Sequence, residues 1–181
     1  VAIKVFMHTN PEFTHEGEES ALSGPVLHPW DRKPAVAELQ ELLNAHGFKM
    51  RIDGDFGFIT EAAVKSLQRQ HQLRIDGIVR PRLWMILKTT IQAGSRVLKQ
   101  GHTGADVNQL QGLLQINGYQ VPRNGIFCAQ THEAILDFQQ SCKLKVDGKV
   151  DQITWLLLRG KPTSLEPRKQ TRWFLQTGKW W

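Results

Sequence analysis

The chain has 181 residues, of which 40% are hydrophobic and 22% charged, with a net charge of +6. That balance suits one ordinary or two small globular domains and excludes an intrinsically disordered chain. No apolar run approaches the roughly 18 residues that a membrane-spanning helix needs, so no transmembrane segment is expected. The positive charge is also localised. Residues 159–181 hold six basic residues and one Glu, whereas residues 97–158 balance at five against five. A broad nucleic-acid-binding face on the body of the protein is therefore not expected.

Residues 1–25 contain Asn10-Pro11, Gly17, Gly24-Pro25 and the acidic cluster Glu16, Glu18 and Glu19. These are loop signals without sustained periodicity, and they predict a flexible N-terminal arm, with a docking segment as the alternative. The apolar run Val1–Phe6 is too short for a secretory signal and is followed by polar and acidic residues. The first residue is Val, which fits a mature or excised product or a non-standard start codon read literally.

From Val26 a duplication begins. Residues 26–87 align without a gap on residues 97–158 at an offset of 71, and 17 of 54 positions between 34–87 and 105–158 are identical. Unrelated sequences would share about one position in sixteen, so the chain carries two copies of one unit. Residues 88–96 read as the linker between them.

Each unit reads as three helices. In the first, Val36, Leu39, Leu42, Leu43 and His46 recur at helical spacing, with Gly47 placed to end the helix. The second helix is expected to start at Thr60 as N-cap, to bury Ala63, Val64 and Leu67, and to fray near His71. The third is short, around Pro81–Leu87, with Pro81 at its first position and Trp84 and Leu87 facing inward. Val107, Leu110, Leu113 and Leu114, then Ala134, Ile135 and Phe138, then Trp155 and Leu158 do the same in the second unit. Thr131 is the counterpart of Thr60. Phe56, Phe127, Trp84 and Trp155 are expected in the cores, where the two tryptophans supply much of the buried area of a marginal 60-residue unit. Asp53-Gly54, Asp76-Gly77, Asn124-Gly125 and Asp147-Gly148 mark four turns in which glycine permits positive φ. A Gln precedes each turn on a helix (Gln40, Gln68, Gln111, Gln139), and these four are expected to bond neighbouring turn carbonyls.

These residues resemble the bacterial peptidoglycan-binding domain of the three-helix type. In the first unit the resemblance rests on Val36, Leu39-Gln40, Gly47, Asp53-Gly54-Asp55-Phe56-Gly57, Thr60, Ala63-Val64, Leu67-Gln68, Leu73, Asp76-Gly77, Val79 and Trp84. In the second it rests on Leu98, Gly101, Gly104, Val107, Leu110-Gln111, Gly118-Tyr119, Phe127, Thr131, Phe138-Gln139, Asp147-Gly148, Val150 and Thr154-Trp155. There are departures. Cys128 stands for the glycine after the turn phenylalanine, Arg80 and Asp151 for a second glycine, and Trp30 and Lys33 for the glycines kept as Gly101 and Gly104. The resemblance implies an all-α protein of two tandem three-helix units that binds cell-wall peptidoglycan without cutting it. It also implies a location at the cell wall, in the periplasm or outside the cell; without a signal peptide a cytoplasmic one stays open.

Segments of 25, 9 and 23 residues outside the repeats are too short for a hydrolase domain. No metal or cofactor is expected, because the seven histidines show no His-Glu-x-x-His spacing and the pair Cys128 and His132 has no second pair. Cys128 and Cys142 lie near opposite ends of one predicted helix, roughly 15–20 Å apart at 1.5 Å per residue, beyond disulfide reach. Asp53 and Asp55 could be a carboxylate pair for glycoside hydrolysis, but a turn explains Asp53 and its counterpart Asn124 does not support acid chemistry. A peptidoglycan ligand offers sugar faces, amides and stem-peptide carboxylates, for which aromatic edges, Gln, Asn and Thr, and Arg are the complements. The candidates are Asp55, Phe58, Thr60, Arg80 and Arg82 around the first unit's turns, and Asn124, Gln130, Thr131 and Gln152 around the second's. The tail at Arg168–Trp181 holds three tryptophans and a phenylalanine among basic residues. It suits an anionic surface or a protein partner, or packing back onto the repeats, and nucleic acid is not favoured. Two further readings stand beside the leading one: the wall-targeting part of an amidase or lytic enzyme, and a soluble protein-interaction module on the same fold.

Overall fold

The computed structural model describes residues 22–160. The arm as far as residue 21 and the tail at 161–181 lie outside the described residues. Six helices follow in order: α1 (Pro34–Ala45), α2 (Phe58–Gln70), α3 (Pro81–Thr90), α4 (Ala105–Ile116), α5 (Ala129–Ser141) and α6 (Gln152–Gly160). Among the described residues the only β pairing consists of isolated bridges. Leu27 with Val79 and Leu98 with Val150 tie the start of each unit to its second turn. The all-α architecture of two three-helix units is thus as expected.

Helix ends follow from local chemistry. Proline opens α1 and α3, where its missing N–H is no loss. At the end of α1 the Gly47 N–H donates to the Asn44 carbonyl and the Phe48 N–H to the Leu43 carbonyl, 2.9 and 3.0 Å. With Gly47 at φ 91° this is a Schellman stop, and glycine is there because the conformation is left-handed. α2 starts two residues before Thr60, with Gly57 as N-cap and no side-chain cap. α5 likewise starts at Ala129 after Cys128. The expectation that Thr60 and Thr131 are caps is therefore corrected. Both lie in the first helical turn, buried, with their hydroxyls taken by Gln40 and Gln111 at 3.2 Å.

Each unit has its own core. Leu39, Leu42, Leu43, Phe56, Val64, Trp84 and Leu87 anchor the first. Leu110, Leu114, Phe127, Ile135, Phe138, Trp155 and Leu158 anchor the second. The four aromatic positions expected in the cores are all at most 2% exposed. The Trp84 indole N–H donates to the Pro25 carbonyl at 2.8 Å. A Cβ on Gly24 would sit 2.6 Å from the same ring, so that position must be glycine. Residues 22–25, read from sequence as the end of the arm, thus close over the first core. α3 runs to Thr90, three residues into the expected linker, because Lys88 is buried against Trp84 and paired with Glu38 at 3.0 Å. Cys128 and Cys142 are both free.

The units also touch. On α1, Glu41 faces Lys99 Nζ and His102 Nε2 of the second unit, each at 3.2 Å. The His102 hydrogen bond is the main cause that brings the Glu41 carboxyl down to about 2, assisted by Lys99 and opposed by burial. A carboxyl depressed on folding contributes stability above its unfolded value of 4.5 and loses it as pH falls through the folded value. The urea midpoint is therefore expected to drop more steeply between about pH 4.5 and pH 2 in the wild type than in Glu41→Gln. Parallel acid profiles for the two proteins would refute this role for Glu41.

Candidate ligand surface

The four turn glutamines build the surface from beneath. Gln40 Oε1 accepts the backbone N–H groups of Asp53 and Gly54 at 3.0 and 2.9 Å. Its Nε2 faces Asp53 Oδ1, the Asp55 carbonyl and Thr60 Oγ1 at 2.9, 3.0 and 3.2 Å. Gln111 clamps Asn124–Ile126 and Thr131 in the same way. Gln68 and Gln139 do so at the second turn of each unit. The expected bonds to turn carbonyls are present, and bonds to the turn amides join them. Each glutamine is at most 2% exposed, so the turns are pinned from their buried side by bonds that are buried or partly buried.

On the first turn the candidates Asp55 and Phe58 come together at the surface. Asp55 pairs with Arg32 at 3.0 Å, and Phe58 is 73% exposed. A depression of about 290 Å³ lies between Arg51, Asp55, Phe58 and Ile59, with Thr60 in its floor. Asp53 is held as a turn brace, its carboxylate accepting from the Asp55 N–H and from Gln40. The Asp55 N–H is the main cause that lowers its pKa. Trp30, which sequence reasoning left out of the site, stands beside Phe58 with ring centroids 4.7 Å apart and planes at 90°. The signal for it was present in the duplication, where Trp30 occupies the position of Gly101.

The remaining candidates lie elsewhere. Arg80 and Arg82 line a separate cleft of about 220 Å³ at the Asp76-Gly77 turn. Arg80 is already engaged with Asp76 at 2.9 Å, and that bond is the main cause holding the Asp76 carboxyl well below the usual carboxylate range. Asn124 lines a third depression of about 280 Å³, walled by Thr89 of the first unit and Gly104 and Asn108 of the second. Gln130 donates to the Gln120 carbonyl at 2.8 Å, Thr131 is buried, and Gln152 is exposed at the head of α6. The candidates thus fall on several surfaces. Among the described residues, only the first-unit turn combines exposed aromatic rings with charged groups.

Against known proteins, a family model described as "Putative peptidoglycan binding domain" matches residues 32–87 and 103–158. The N-acetylmuramoyl-L-alanine amidase CwlM of Mycobacterium tuberculosis is 30% identical over 142 residues. The match covers 69% of this chain and 35% of that protein, so the chain spans about a third of the curated relative's length. A peptidoglycan-binding protein of Clostridioides difficile, solved with glutamine hydroxamate, is 32% identical over 35% of this chain and 40% of its own, with a TM-score of 0.35. A fused Zn-dependent amidase/peptidase with a peptidoglycan-binding domain from Clostridium acetobutylicum is 36% identical over 38% of this chain and 31% of its own, with a TM-score of 0.37.

Proposed function

Because the chain belongs to the peptidoglycan-binding domain family, which it matches twice, we propose that it is a non-catalytic binder of the bacterial cell wall. The observation that carries this reading is the completeness of both units. Each keeps its core, its two glutamine-clamped turns and an exposed turn surface, so both copies retain the scaffold that a wall-binding unit requires. The ligand is peptidoglycan, met as glycan strand or stem peptide, and the working location is the wall, the periplasm or the exterior. When the protein is mixed with purified insoluble peptidoglycan at low salt and centrifuged, it is expected to sediment with the polymer. Protein left wholly in the supernatant would overturn the proposal and favour a protein-interaction module built on the same fold.

A second reading is favoured by the match to the amidase of Mycobacterium tuberculosis. Here the two units are the wall-targeting part of a hydrolase, and the cutting chemistry resides in sequence beyond them. Sedimentation is expected under both readings. Release of soluble muropeptides by the native gene product, and not by residues 1–181, separates them.

A further inference from the structure

We infer that Trp30 and Phe58 form a carbohydrate-stacking platform confined to the first unit, and that its occupant is a neutral N-acetylated pyranose ring of the glycan strand. The inference rests on the wall-binding reading and narrows it to one unit and one component of the polymer. Trp30 is 60% exposed and has φ 75°, a left-handed conformation that bulky side chains rarely adopt. Its counterpart Gly101 has φ 92°, and a Cβ there would meet nothing within 4 Å. The backbone bond made at this point is the same in both units: Trp30 N–H to the Phe56 carbonyl at 2.9 Å, Gly101 N–H to the Phe127 carbonyl at 3.0 Å. Phe58 is Ala129 in the second unit, so that unit builds the same turn with neither ring. The fold therefore does not need them. Two large rings held in water, one of them on strained backbone, are an arrangement that function explains and packing does not.

The surroundings identify the ligand class. A pyranose presents an apolar C–H face to an aromatic ring and a rim of hydroxyl and acetamido groups to polar neighbours. Beside the platform the Asp31–Lys33 and Asp55–Arg32 pairs, at 3.2 and 3.0 Å, cancel in charge while leaving acceptors and donors at the rim. That neutral setting suits an uncharged sugar better than a stem peptide with free carboxylates. The perpendicular rings make a small corner rather than a long apolar groove, which suits a single ring better than a partner helix.

The test titrates the full chain by calorimetry with a β-1,4-linked N-acetylglucosamine hexasaccharide, and separately with a soluble stem peptide. The variants are Trp30→Gly and Phe58→Ala, which install the second unit's own residues, and the second-unit double variant Gly101→Trp with Ala129→Phe. The expected result is saccharide binding by the wild type, weakened about tenfold in each single variant, while the thermal midpoint of Trp30→Gly does not fall. The double variant is expected to gain a second saccharide site. Saccharide affinity unchanged in both single variants would overturn the inference. So would stem-peptide affinity that drops in them in place of saccharide affinity. If the wild type sediments with walls but ignores the saccharide, the platform fails and the wall-binding reading stands. If it does neither, both fail.

Discussion

Replacing Asp106 by alanine is expected to destabilise the second unit by about 3–5 kcal/mol, the range for stranding one member of a buried ion pair. Asp106 and Arg96 are 1% and 6% exposed, and Arg96 Nε and Nη2 meet the carboxylate at 2.8 and 3.2 Å. Arg96 Nη2 also donates to the Thr103 carbonyl at 3.0 Å, so the guanidinium stitches the entry of the second unit to the start of α4. Asp106 sits in the first turn of α4, where its charge also suits the helix dipole, and it accepts the Val107 N–H at 2.9 Å. Alanine removes the carboxylate and leaves the buried Arg96 guanidinium without its charged partner. The first unit has Pro25 and Ala35 at the corresponding positions, so the loss is confined to one copy. Urea unfolding followed through amide signals of α4 and α5 should show the shift, with α1 and α2 far less affected. The pair Arg96→Met with Asp106→Leu is expected to cost less than Asp106→Ala alone, because no charge is then left buried. A single variant within about 1 kcal/mol of the wild type would show that water reaches the pair.

The fold was legible in the sequence wherever its cause was local or repeated. Helical spacing placed Leu39, Leu42 and Leu43 in the core, and Asx-Gly pairs placed the turns. The recurrence of glutamine ahead of each turn was enough to expect the clamps. What misled was a local rule with a non-local competitor. A threonine ahead of an apolar helical pattern reads as an N-cap, but Gln40 and Gln111 reach across from the preceding helices and hold Thr60 and Thr131 inside the first turn. Contacts between the copies left no periodic signal at all. Glu41 and His102 come from different units, and their positions in the repeat are Gly112 and Asp31, so the duplication hid the pair. The candidate surface was half visible. Asp55 and Phe58 were singled out by the turn they flank, whereas Trp30 looked like a mere departure from glycine until the structure set its ring against Phe58.

Replacing Gln40 by alanine is expected to cost about 2–4 kcal/mol and to weaken wall binding well below the unfolding temperature. Two effects contribute to the stability loss. The Asp53 and Gly54 N–H groups and the Asp55 carbonyl lose their partner, at about 1–3 kcal/mol for each group that water cannot reach. A side chain 1% exposed also leaves a void. Gln40→Met separates these effects, since it fills much of the volume with no amide. If the hydrogen bonds dominate, methionine is nearly as destabilising as alanine; if packing dominates, it returns most of the stability. The first outcome is expected, because the amide is ringed by polar turn atoms and not by the core. Gln40→Glu is expected to be no rescue. Its carboxylate can still accept from the two N–H groups but has no proton for the Asp55 carbonyl, and it faces the Asp53 carboxylate at the 2.9 Å contact. The binding loss follows from geometry. Asp55 and Phe58 stand on the segment that Gln40 holds, so a loosened turn spreads the positions of the side chains meant to meet the ligand. Amide exchange at Gly54 and Asp55 would accelerate in the variant with the helices still protected. Unchanged exchange there, with binding reduced all the same, would place the effect of Gln40 outside the turn.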